Sequence, residues 1–290
     1  MLIARIAPLM WFALASPRWL LLTALLVATV ACEGASPIER HVDRFLREGG
    51  DGLFGPTTPI QDLTFPEAPG LVHVVVKNVE GDVRIRGTRK DASGPTTVHL
   101  RPHAIIDSNF KGTAALDEMK WSAHMKPQPD GSRILEVTIA TPDPSAWFVR
   151  CEIEIDTPRL GDSTVVTDHG RVLVSDNHGG VSVKTTRGDV RVRTAWPITQ
   201  PCRIETSDGD VEWIVRGESS GAFDCETIGG EMNVFARYGR WVAVHPRNDH
   251  NSLVSTLNSG TNPIVMRVTD GDIYVVIVED PHDTGTFIRP

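Results

Sequence analysis

Cysteine is scarce in this chain, and no familiar metal motif is built on it. Four cysteines fall in 290 residues, at positions 32, 151, 202 and 225. None of them forms Cys-x-x-Cys and no His-Glu-x-x-His occurs, so the common zinc frameworks are missing. The Gly-Gly-x-Gly-x-Asp unit of secreted calcium-binding toxins is also lacking. Basic residues are few: 29 Lys and Arg stand against 37 Asp and Glu, for a net charge of −8. That balance disfavours nucleic acid and an anionic membrane face as partners.

What the chain has instead is a repeat. Residues 167–172 read Thr-Asp-His-Gly-Arg-Val, 176–181 Asp-Asn-His-Gly-Gly-Val, and 185–190 Thr-Thr-Arg-Gly-Asp-Val. Residues 206–211 read Thr-Ser-Asp-Gly-Asp-Val, and 227–232 Thr-Ile-Gly-Gly-Glu-Met. A small polar residue opens each unit, Gly follows three later, and an apolar residue comes two after the Gly. Val190, Val211 and Met232 step by 21 residues, as do Val181, Cys202, Phe223 and Val244. Second rails run two residues on, through Val192, Trp213 and Val234, and through Val183, Ile204 and Cys225. Alternation of apolar and polar side chains means strands. A fixed step of this size means coils that bury their apolar faces only by stacking. The pattern predicts an all-β, two-sheet β-solenoid with coils of ~21 residues, one short strand per sheet per coil. Gly supplies the sharp turn, and the Thr, Asp or Asn before it bonds the turn backbone. An antiparallel sandwich of short hairpins is the competing architecture.

The N-terminus is different in kind. Residues 1–31 carry Arg5 and Arg18 and no acid, and residues 19–31 are uncharged and apolar. That run is short for a membrane span and fits the core of a signal peptide. Residues 29–32, Thr-Val-Ala-Cys, resemble the lipobox of bacterial lipoproteins, in which the cysteine is acylated and becomes the new N-terminus. Cys32 is therefore the expected lipidation site, with membrane contact through the acyl chains. An uncleaved anchor and a soluble secreted form are the alternatives. Ser36, Pro37 and Glu39 form a capping box, and Ile38, Val42, Phe45 and Leu46 share one face of a short amphipathic helix. Gly49 and Gly50 end it, and a Gly- and Pro-rich linker follows to residue 69. The expected layout is a signal over 1–31, a tether with helix over 32–70, a solenoid over 71–278 and a tail over 279–290.

Within the solenoid, residues 78–83 already read Asn-Val-Glu-Gly-Asp-Val. Residues 90–150 then interrupt the repeat as an insertion with strand-like stretches at 96–103 and 134–140. Past Val234 the repeat degrades. Leu253 keeps the step, and Thr-Asp-Gly-Asp-Ile returns at 269–273. Residues 273–278 are a strongly apolar strand expected to help close the end. Capped ends are expected, because an open sheet edge invites association.

Chemistry is harder to find. Residues 217–221, Gly-Glu-Ser-Ser-Gly, match a nucleophile-elbow pattern but lie between two repeat strands, with no helix to follow. His169 and His178 belong to consecutive units on opposite edges of the coil, which suits turns better than a shared metal. Asp189, Asp210 and Glu231 step by 21 and should form a row of carboxylates on one edge. They are weak calcium candidates, since close like charges attract a cation. After lipidation of Cys32, an odd number of cysteines remains, which argues against a disulfide framework. Cys202 and Cys225 are expected as buried apolar residues, with a bridge between them as the alternative. Trp121 and Trp147 in the insertion could shape a groove for a sugar or peptide.

Residues 71–87, the stretch Phe-Val-Arg-Cys-Glu-Ile-Glu-Ile-Asp-Thr-Pro at 148–158 and the run of Gly-x-Val-x-Val units together resemble the bacterial "putative adhesin" domain of unknown function. The resemblance spans 71–278 and rests on the grammar of the repeat. It implies an exported or membrane-tethered protein and brings no catalytic residues. The expectation is a non-enzymatic, cofactor-free, lipid-anchored module facing away from the cytoplasm in the bacterial cell envelope. It would act as an adhesin-like binding domain for an envelope protein or glycan and not for nucleic acid. A periplasm-facing scaffold is the alternative, and a carbohydrate-active β-helix enzyme the third reading.

Overall fold

The computed structural model describes residues 59–90, 92–104, 116–141, 149–243 and 249–287. The expected signal, Cys32, the helix near 36–50, Trp147 and Val244 lie outside the described residues. Among the described residues, nineteen strands, numbered in chain order, form one nine-stranded and one ten-stranded sheet, called sheet A and sheet B. Seven coils each give one strand to each sheet, as the 21-residue step requires. In chain order the coils are β2 (Val72–Lys77) with β3 (Val83–Arg86), β6 (Arg133–Ala140) with β7 (Val149–Asp156), and β8 (Leu160–Val166) with β9 (Val172–Ser175). Then come β10 (Val181–Arg187) with β11 (Val190–Arg193), and β12 (Cys202–Asp208) with β13 (Val211–Arg216). The last two are β14 (Gly221–Thr227) with β15 (Met232–Ala236), and β18 (Pro263–Asp270) with β19 (Ile273–Val278). All strand pairs between coils are parallel.

The expected rails hold in the middle of the stack. Val181 faces Cys202, Val183 faces Ile204, Val190 faces Val211, and Val192 faces Trp213. Beyond them the order departs from simple winding. Val211 pairs with Ile273, and Ile273 with Met232, so the coil of β18 and β19 is wedged between two coils that are consecutive in sequence. Phe223 likewise meets Ile264 and not Cys202. The other end repeats the device. The coil of β2 and β3 lies between that of β6 and β7 and that of β8 and β9. The insertion expected over 90–150 thus contains β6, a regular strand of the stack. The linker expected up to residue 69 contains β1 (Gln61–Phe65), paired antiparallel with β4 (Thr96–Ala104).

Antiparallel strands finish the ends. β4 and β1 extend sheet A past β7, and β5 (Lys120–Pro127) extends sheet B past β6. At the far end β17 (Ser252–Leu257) and β16 (Trp241–Ala243) extend sheet B past β14. Among the described residues, sheet A has no matching strand there and ends at β15. Between the sheets lies one continuous core of inward-facing residues, mostly Val and Ile. Trp213 and Phe223 are its largest fully buried members and meet edge to face at 5.4 Å. The small polar residue that opens each unit acts as expected: Thr227 Oγ1 donates to Gly271 O at 2.6 Å, and Asn78 Nδ2 to Cys151 O at 3.0 Å.

Candidate functional site

The row of acids is present, but with a fourth member in it. Asp272, from the wedged coil, stands between Asp210 and Glu231. Each of the three aspartates accepts a backbone N–H from the next coil. Asp210 N donates to Asp189 Oδ1 at 3.0 Å, Asp272 N to Asp210 Oδ1 at 2.7 Å, and Glu231 N to Asp272 Oδ1 at 2.8 Å. Tyr274 also donates to Asp272 Oδ2 at 3.0 Å. The aspartates thus tie coil to coil, and among the described residues no group of three or more His, Cys, Asp or Glu is arranged to hold a metal ion. Burial, with the charges of Asp189 and Asp272 adding to it, holds the Asp210 carboxyl above its ordinary value against the bond from Asp272 N–H. The folded state then holds this proton more tightly than the unfolded chain, so stability falls as pH rises through that window. Asp210→Asn keeps the acceptor and removes that loss. Its stability relative to the parent should grow from pH 4 to pH 7 by about a few tenths of a kcal/mol, limited by solvent screening. Urea unfolding at both pH values checks this, and no change in the difference would count against it.

The other motifs are structural. Ser219 of the elbow-like pattern is fully buried, and its hydroxyl accepts Ile198 N–H at 3.0 Å. His169 pairs with Glu80 at 2.5 Å, while His178 stacks on Trp196 with ring centroids 4.0 Å apart, on the other edge of the coil. Cys151, Cys202 and Cys225 are buried free thiols, and β18 separates the strands of the last two. Burial pushes Cys151 and Cys202 up to about 12, far from a reactive thiolate.

A surface the sequence did not announce lies where the strands of sheet A end. An open cleft of about 740 Å³ runs from Arg89, after β3, past Arg216 to Arg237 and Tyr238, after β15. The C-terminal segment lines it too, with Glu279 and Asp283. Tyr238 donates to Glu279 Oε2 at 3.1 Å, and that bond raises the phenol above its ordinary value. The stretch expected as a tail is strapped across the outer face of sheet A. His282 Nε2 meets Asp176 Oδ1 at 2.7 Å, and Phe287 N donates to Glu212 Oε1 at 2.7 Å. Glu212 is fully buried and also binds Arg191 and the Thr286 hydroxyl. β19 is apolar on both faces and its outer Val276 and Val278 cluster with Ile214 of β13, and that was the available signal for an outer cover.

Residues 148–276 match the model of the family described as Toastrack DUF4097, a domain of unknown function. The match covers less than half of the chain. The matched stretch runs from β7 into β19, yet the coil of β2 and β3, from outside it, is wedged into the same stack. No curated protein matches the chain. Among solved structures, a "putative cell adhesion protein" from Clostridium sporogenes ATCC 15579 superposes with a TM-score of 0.54 at 12% identity, covering 76% of this chain and 100% of that one. A "putative adhesin" from Bacteroides fragilis NCTC 9343 gives 0.27 at 11% identity, covering 77% and 99%. A "putative lipid binding protein" from Parabacteroides distasonis ATCC 8503 gives 0.21 at 6%, covering 74% and 96%. The first of these shows the shared fold. Among the described residues, no helix is long and apolar enough to cross a membrane.

Proposed function

We propose that this protein is a non-enzymatic, adhesin-like binding module of the bacterial cell envelope, anchored by lipid on Cys32 and facing away from the cytoplasm. The observation that carries this reading is the placing of entry and open surface at opposite ends. The described chain enters at β1, the first strand of sheet A, and the exposed residues Val234, Phe235 and Tyr238 lie in and just after β15, the last. Eight strand spacings of ~4.8 Å separate those ends, ~38 Å in all. The chain that would carry the anchor joins the stack at β1, the end of sheet A opposite β15. The mixed charges of the cleft, with Arg89, Arg216 and Arg237 alongside Glu279 and Asp283, suit a polar macromolecule such as a protein or glycan. Among the described residues the cysteines and Ser219 are buried and the row of aspartates is engaged with backbone, which fits the non-enzymatic reading. The names of the similar structures agree with a binding role. The open β15 edge favours the alternative, a periplasm-facing scaffold.

Protease shaving of intact cells that express the tagged full chain separates the two. Digestion in intact cells, with Cys32→Ala lost from the membrane fraction, is the expected result. Protection in intact cells that disappears on lysis would replace the adhesin-like reading with the scaffold. Retention of Cys32→Ala on the membrane would remove the lipid anchor.

A further inference from the structure

β15 is an edge strand without the usual defences. Natural edges carry charge, Pro or a cover to prevent pairing. β5, at the other end, has Lys120, Lys126 and Pro127. β15 reads Met-Asn-Val-Phe-Ala, with no charge in it, and exposes Val234 and Phe235 at 44% and 40%. Its inner side is used by β19, since Glu231 O accepts Ile273 N–H at 2.9 Å and Arg237 N donates to Ile277 O at 3.0 Å. In a parallel pair alternate residues bond the same neighbour. Asn233 and Phe235 therefore also turn inward, and Met232, Val234 and Ala236 turn their N–H and C=O outward. Met232 N–H is already taken by His250 O at 2.7 Å. Among the described residues, Val234 and Ala236 have no bond on that side.

We propose that β15 pairs antiparallel with β15 of a second copy of this chain. The free groups fix the register. Val234 must face Ala236 of the other copy, each pair exchanging both backbone bonds, and Phe235 then sits on the two-fold axis opposite itself. Charge fits the same arrangement. Glu231 precedes the strand, with Asp272 beside it, and Arg237 follows it. Antiparallel pairing sets Arg237 of each copy opposite Asn233 and diagonal to Glu231 of the other, within reach of a long side chain. Parallel pairing would set like charges together. The chain bends away from the strand over 237–239, the stretch that would face Met232 and His250 of the other copy. The contact is isologous, so it closes at a dimer and adds no further copies. The dimer carries two clefts, which would multiply the strength of binding to a repetitive partner. The pairing itself does not depend on what the cleft binds.

The test is a cysteine scan in the full chain purified in mild detergent. At a non-hydrogen-bonded antiparallel pair the Cα atoms are ~4.5 Å apart, within disulfide range. Phe235→Cys should give mostly a covalent homodimer under mild oxidation, and Val234→Cys several-fold less, because it faces Ala236. The unsubstituted chain, with its own cysteines, sets the background. Sedimentation should show a dimer for the parent and a monomer for Phe235→Lys. A monomeric parent with no Phe235→Cys cross-link overturns the proposal. So does cross-linking that is equal at the two positions, or a parent dimer that Phe235→Lys leaves intact.

Discussion

Gly209→Ala is expected to lower the free energy of unfolding by about 3–5 kcal/mol. The position combines two costs. Its φ is +142°, a region that side-chain-bearing residues rarely adopt, and such strain costs ~1–3 kcal/mol. A Cβ there would also meet Gly188 O of the neighbouring coil at 2.5 Å, and its nearest atoms are backbone, which cannot rotate away. Overpacking of this kind adds ~1–3 kcal/mol. The same contact recurs along the stack: a Cβ on Gly188 would strike Gly170 O, on Gly271 Gly209 O, and on Gly230 Gly271 O. The glycines are thus the close-approach column of the solenoid. Because neighbouring coils share an interface, the damage should spread as loss of cooperativity. Equilibrium urea unfolding checks this. A change below about 1 kcal/mol, the size of an ordinary surface substitution or a little more, would mean that the coils are not stacked through this column.

That column also shows how far the sequence reaches. The Gly three residues after a Thr or Asn, and the apolar residue two after the Gly, announce the coil and its inward rails. Val190 opposite Val211 and Val183 opposite Ile204 follow directly. The step of 21 measures the length of a coil and says nothing of which coil lies beside it. Met232 is as good a neighbour for Ile273 as for Val211, since all three are apolar strand residues at the same phase. The wedging of β18 and β19 was therefore invisible to periodicity. Its trace was the double-sided apolar strand at 273–278, which needs neighbours on both sides and cover on both faces. The row of Asp189, Asp210 and Glu231 was read with the right phase, and only the step from Asp210 to Glu231 missed its neighbour, Asp272, for the same reason. The cleft was less legible still. Arg89, Arg216, Arg237 and Glu279 come from distant segments that no spacing rule connects, and only the fold brings them together.

The wedge has a large consequence of its own. A chain ended after Leu257 lacks β18, β19 and the strap. If coils followed one another in sequence, this would trim one end of the stack, and the remaining coils would keep most of their stability. In the observed order it removes the layer between β12–β13 and β14–β15. Ile264, Met266, Ile273, Val275 and Ile277 are lost from the core, each with ≤ 1% exposure. At ~1.5–3 kcal/mol per buried side chain this is of the same order as the net stability of a whole domain, about 5–15 kcal/mol. Closing the gap by one coil does not restore the fold. Trp213 and Phe223 already touch across the intervening layer, ring centroids 5.4 Å apart, and a step of ~4.8 Å would drive them together. The turn between β13 and β14 also loses its ties, because Asn258 Nδ2 donates to Gly217 O at 2.6 Å and Gly217 N to Val278 O at 3.1 Å. The expected result is loss of amide-exchange protection through β14–β17 as well as the deleted strands, with the melting temperature lower by at least ~10 °C. Retained protection across Gly221–Thr227 and Met232–Ala236 would mean that these strands dock on β12 and β13, the consecutive winding that the repeat alone suggests.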